Sequence, residues 1–209
     1  MAETGAPGAG PVTFSELEDY EQRLLEIKEQ DGVLPDVLKR GLDLVVCGTA
    51  AGDRSAAAGA YYVDGRNRFW RILEEVGLTP RQLAPEEFRM LPDFGIGLTD
   101  IVKHSSGRDA ALRDGDYDIA GFREKIEAAQ PQVLVFNGKN AAARYLVVPT
   151  GRLPYGRHEE RVGTTILFVA PSTSGANAHW MSDPWHDCAR LVRDIVGGGE
   201  TSQNRGQFR

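Results

Sequence analysis

The segment Val45-Val46-Cys47-Gly48-Thr49-Ala50-Ala51-Gly52-Asp53-Arg54-Ser55 carries an apolar run into a loop bracketed by glycines. Small side chains let main-chain N–H groups approach a ligand closely, so this loop is a candidate binding floor. Its centre, Ala50-Ala51, holds no group able to move a proton or hold a water. Any acid–base chemistry must come from outside that pair, and Asp53, Asp93 and Asp100 are the carboxylates to weigh. Asp53 beside Gly52 and Asp93 after Pro92 also fit turns or helix caps. Two further polar loops, Asn137-Gly138-Lys139 and Pro171-Ser172-Thr173-Ser174-Gly175, each follow an apolar run.

Those loops need strands and helices to position them. Short apolar runs bounded by turn residues predict buried strands over 42–47, 97–102, 133–136 and 164–169. Apolar spacing and boundary residues predict helices over 13–29, 67–76, 85–91, 119–129, 140–145 and 184–196. Gly77 and Pro131 supply stop signals, and the polar stretch 105–117 reads as a mobile loop. Strands alternating with helices imply an α/β fold, three layers α/β/α around a mostly parallel sheet of four to five strands. Ligands of such sheets bind beyond the carboxyl ends of the strands. That rule would gather Gly48–Gly52, Asp100, 137–139 and 170–175 into one site.

A chain of 209 residues with 41% hydrophobic and 26% charged residues has the composition of an ordinary globular protein. The expected organisation is a leader over 1–12, a single domain over 13–196 and a flexible tail over 197–209. No long apolar run predicts a membrane span, and the Gly/Ala/Pro-rich start lacks the pattern of a secretion signal. Cytoplasmic residence is therefore expected. Two cysteines, Cys47 and Cys188, make neither a four-thiolate cluster nor a disulfide framework. The net charge of −6 does not advertise a nucleic-acid binder. Arg54, Arg66, Arg68, Arg71 and Arg81 nevertheless fall close together and would supply a local basic lip.

Cys47-Gly48-Thr49-Ala50-Ala51-Gly52 paired with the late Pro171-Ser172-Thr173-Ser174-Gly175 resembles the uracil-DNA glycosylase superfamily. Asn67-Arg68-Phe69-Trp70, Gly77-Leu78-Thr79-Pro80-Arg81-Gln82-Leu83, Gly97-Leu98-Thr99 with Ile101-Val102, and Gly138-Lys139 extend the likeness in the same order. Together they are most similar to the mismatch-specific uracil/thymine-DNA glycosylase branch. The resemblance implies a monomer of that fold that binds DNA containing uracil or a mismatched base, associated with the bacterial nucleoid while acting. It would flip the base out and cut the N-glycosidic bond, with no metal or organic cofactor.

By the same resemblance, Gly48, Thr49 and Ala50 contribute main-chain contacts at the pocket floor. Tyr62 stacks on the extruded base, and Asn137 reads its edge. Ser172 and Ser174 bind flanking phosphates, in a segment with Thr173, Gly175, Ala176 and Asn177 that enters the minor groove. Ser55 joins the DNA-binding set. Three departures stand out. Ala50 and Ala51 occupy the positions of the branch's usual asparagine and proline, so the water-positioning amide is missing. Ala176 is a poor plug for a vacated base stack, and Ala170 replaces a frequent histidine. Asp100 is the expected substitute base, because an ionised carboxylate can orient water, accept its proton and stabilise a cationic sugar. Asp53 is the alternative. A catalytically inactive lesion-binding module is the other class of reading. A nucleoside or nucleotide hydrolase ranks below both, since the sequence shows no P-loop and no acidic metal cluster.

Overall fold

The computed structural model describes Ser15 and residues 32–203. Apart from Ser15, the helix expected over 13–29 lies outside the described residues, as do the leader and the end of the tail. The described elements, in chain order, are β1 (Leu44–Gly48), α1 (Asp53–Ala58), α2 (Phe69–Glu75), β2 (Ile96–Asp100), α3 (Ile119–Ala129), β3 (Val133–Asn137), α4 (Lys139–Leu146), β4 (Gly156–Val162), β5 (Thr165–Ala170) and α5 (Asp183–Gln203). Short 3-10 segments lie between them, the longest at Pro85–Phe94.

The sheet has five strands in the order β2-β1-β3-β5-β4. All neighbours run parallel except the β4–β5 pair. Every residue of β1, β2 and β3 is buried, as expected of parallel strands covered on both faces. Alternation sorts the side chains into two layers. Leu44, Val46, Leu98 and Val135 pack with Phe69, Leu73, Trp185 and Val192 from α2 and α5. Val45, Cys47, Leu134 and Phe136 pack with Phe122, Ile126, Ala141 and Ala142 from α3 and α4. This is the three-layer α/β/α arrangement, and fully burying each large apolar side chain contributes roughly 1.5–3 kcal/mol.

Three sequence expectations are corrected here. β4 was not expected, because only Val162 of its seven residues is buried and the sequence shows no apolar alternation. Main-chain pairing to β5 holds this edge strand instead. α1 forms where the sequence predicts a loop, since its alanines give almost no apolar signal before Gly59 closes it in a left-handed conformation. α5 runs through Gly197-Gly198-Gly199, where a stop was expected. Glycine weakens a helix by about 1 kcal/mol relative to alanine but places no steric block in it.

Candidate active site

At the carboxyl end of the sheet lies a cavity of about 890 Å³. β1 delivers Gly48, Thr49 and Ala50 to its floor, and α1 delivers Asp53, Arg54 and Ser55 to one wall. Tyr62 follows, then Asn137 at the end of β3, and residues 172–177 after β5. The three expected loops that line it thus meet in one place, as the strand-end rule requires.

Asp100 does not line the cavity surface. It sits under the floor, 3% exposed, as the last residue of β2 and in register with Gly48 on β1. A Cβ on Gly48 would overlap Asp100 Oδ1 and come within 3.2 Å of Tyr62 Oη. Glycine is therefore required there by close approach. Among the described residues no protein group donates a hydrogen bond to the Asp100 carboxylate. Burial pushes its pKa from 3.8 up to about 6. Lys103 and Lys125 oppose that rise, while Asp36 and Asp109 add to it.

A buried ion cluster, absent from the sequence reading, lies behind β2. Asp36 Oδ1 accepts from Thr99 Oγ1 at 2.7 Å and Lys103 Nζ at 2.8 Å, and Oδ2 accepts from Lys125 Nζ at 2.8 Å. Thr99 points to this cluster while its neighbour Asp100 points to the opposite face, the ordinary alternation of a strand. The lysines thus reach Asp100 by field and not by contact.

Tyr62 is held at φ 56°, a left-handed conformation unusual for a bulky residue. Its neighbours brace it: Trp70 Nε1 donates to Tyr61 O at 3.2 Å, and Val63 N donates to Ser55 Oγ at 3.4 Å. Ser55, expected at the DNA, is itself buried and serves this turn. One face of the Tyr62 ring lies against Phe69, with centroids 4.1 Å apart and a 33° tilt. The Tyr62 hydroxyl is buried without a hydrogen-bond partner. Burial and then the Asp100 charge push its pKa well up, with the nearby Asn137 amide pulling the other way.

Asn137 is a clamp between β3 and the late loop. Its Nδ2 donates to Thr173 Oγ1 at 2.9 Å, and its Oδ1 accepts from Thr173 N at 2.9 Å. An amide used this way retains one N–H and one lone pair for a ligand. Ser172 Oγ accepts from Ser174 N, and Ser174 Oγ accepts from Ala176 N, both at 3.3 Å. Asn177 donates to Ser172 O at 2.9 Å and accepts from His179 N at 3.0 Å, so its side chain struts the loop. Exposed Ala176 forms the tip beside Gly175, which rests directly on the Arg66 main chain.

Of the expected basic lip, only Arg54 and Arg66 border the cavity, and both reach Asp64, at 3.4 Å and 3.1 Å. Arg68 instead caps Ser174 O at 3.0 Å and lies over Trp180. Arg81, just ahead of the 3-10 segment, pairs with Glu87 within it. Residues 107–110 complete the rim, tied in by Gly107 N donating to Ala51 O at 2.9 Å. Their polar, aperiodic sequence gave no signal of that role.

Among the described residues no group of three or more His, Cys, Asp or Glu is placed to hold a metal ion. No described helix is long and apolar enough to cross a membrane. A solution NMR structure of a provisionally assigned uracil DNA glycosylase from Methanosarcina acetivorans is similar in fold, with a TM-score of 0.52 and 22% identity. The similarity covers 78% of this chain and 98% of that one. The model of the uracil DNA glycosylase superfamily matches residues 35–193, a span that holds all five strands and the whole cavity lining. With most of its length inside that match, the chain belongs to the uracil DNA glycosylase superfamily.

Proposed function

We propose that the protein is a monofunctional DNA glycosylase that extrudes uracil into the cavity and hydrolyses its N-glycosidic bond, leaving an abasic site. Other deaminated or mispaired bases fall within the same reading. The observation that carries it is Asp100: a buried carboxylate without a protein donor, under the floor of a strand-end cavity, titrating at about 6. A general base works best when its pKa lies near the working pH. Water attacks C1′ of the sugar, its proton passes to Asp100, and the C1′–N bond breaks with the electron pair leaving on the base. The carboxylate charge also stabilises the oxocarbenium-like sugar, an electrostatic task.

The other residues take supporting roles in this reading. The cavity-side face of Tyr62 offers a stacking platform, worth about 1–3 kcal/mol per base. The remaining N–H and lone pair of Asn137 address the base edge. Main-chain groups of Gly48, Thr49 and Ala50 form the floor, and Ser172 and Ser174 address phosphates. Asp53, exposed at the start of α1, is the less suited carboxylate, because nothing desolvates it.

The test uses uracil-containing single- and double-stranded oligonucleotides, followed by alkali to reveal abasic sites. Strand breaks with the wild type and none with Asp100→Ala are expected. Folded wild type that binds the DNA without cleaving it overturns the enzyme reading in favour of a binding module. Full activity in Asp100→Ala moves the base to another residue.

A further inference from the structure

Gly48, Tyr62 and Asp100 share one small space. A single methyl group placed on Gly48 would overlap Asp100 Oδ1 and lie 3.2 Å from Tyr62 Oη, so both oxygens border the same point. One of them is a carboxylate with no protein donor among the described residues; the other is a buried hydroxyl with no partner. Tyr62 Oη makes no hydrogen bond with Asp100 directly. A water with two hydrogen bonds of about 2.8 Å bridges oxygens up to roughly twice that distance apart. An unpaired buried hydroxyl is costly to the fold, and its retention calls for a function.

We propose that the Tyr62 hydroxyl is a second catalytic group, which together with Asp100 holds the attacking water beside Gly48. The water accepts from Tyr62 Oη–H and donates one of its own O–H bonds to Asp100. A lone pair remains directed toward the sugar. As that pair forms the C1′–O bond, the water proton passes to Asp100 and the glycosidic electron pair leaves with the base. Tyr62 keeps its proton throughout and fixes the direction of attack. The strained backbone at Tyr62 fits this role, since φ 56° is retained at a residue that supplies both a ring and an aimed hydroxyl. Gly48 enters as a steric requirement, because a side chain there would displace Asp100 Oδ1 from its place near Tyr62 Oη.

The proposal rests on the glycosylase reading, so its test includes a readout that does not depend on activity. Tyr62→Phe keeps the ring and removes only the hydroxyl. Single-turnover excision by this variant should slow by about 10- to 100-fold, with DNA affinity within about twofold of the wild type. Its Tm should stay close to that of the wild type, because the ring and its packing on Phe69 are kept. High-resolution crystal structures of the wild type and Tyr62→Phe supply the second readout. A water bonded to both Tyr62 Oη and Asp100, lost or displaced in the variant, is expected. A wild-type rate in Tyr62→Phe, or a wild-type crystal in which no water bridges the two oxygens, overturns the proposal while leaving the glycosylase reading intact. Wild-type protein that binds uracil DNA without cleaving it overturns the glycosylase reading and, with it, the catalytic assignment of Tyr62; the crystal structures then report only whether the two oxygens share a water.

Discussion

Burial at the end of β2 raises the Asp100 carboxyl from 3.8 to about 6 because the ionised form loses hydration and gains no protein donor. The same shift sets two opposite slopes with pH. In the proposed reaction excision needs the ionised carboxylate, so kcat/KM should rise about tenfold per pH unit up to about 6 and then level, measured between pH 4.5 and 8. Stability runs the other way. The folded carboxyl holds its proton more tightly than the unfolded one, so its contribution is intact below pH 3.8 and is lost as pH rises through about 6. The loss is on the order of 2–3 kcal/mol. Urea melts of the wild type and Asp100→Asn should therefore converge near pH 4 and diverge toward pH 7.5, with the variant the more stable there. Equal pH dependence in the two proteins would contradict the burial argument. Such exchange of stability for chemistry is common where a site needs a desolvated charge.

The late loop depends on its attachment to β3 more than on its own turns. Asn137 holds Thr173 through both its donor and its acceptor, and Trp185 Nε1 from α5 holds Pro171 O at 3.0 Å. Asn137→Ala leaves the Thr173 main-chain N–H without its partner. We expect a destabilisation of about 1–3 kcal/mol and a weakened hold on residues 172–177. Thermal melts measure the first, and hydrogen exchange in that segment, faster than in the wild type while α3 is unchanged, measures the second. The elements carrying these contacts differed in how plainly the sequence announced them. β1, β3, β5 and α3 were legible because strands buried along most or all of their length and an amphipathic helix leave strong apolar patterns. β4 and α1 were not, since one is held by main-chain pairing at an exposed edge and the other is built of small residues.

Over the whole molecule, a net charge of −6 repels DNA, so the proposed function requires a local field of the opposite sign where DNA would dock. Arg54 and Arg66 stand on its rim and share Asp64, whose carboxyl the Arg66 hydrogen bonds hold down at about 2. A DNA phosphate would compete with Asp64 for the same guanidinium groups. Arg66→Gln should weaken binding evenly across sequences and reduce the slope of log K against log salt by about one. Fluorescence anisotropy from 50 to 300 mM salt checks this, and an unchanged slope would place the phosphate elsewhere. The sequence alone determined the α/β class, the family likeness, the inert Ala50-Ala51 centre and Asp100 as the carboxylate to examine. Those rest on residue identity and apolar period, which a chain carries before it folds. The tertiary structure decided that Asp100 lies beneath the floor, that Asn137 is already clamped to Thr173, and that residues 107–110 close the rim. It also aimed the Tyr62 hydroxyl at the space beside Gly48. Each of these depends on which atoms distant segments bring together and which groups they desolvate, and neither spacing nor composition encodes that.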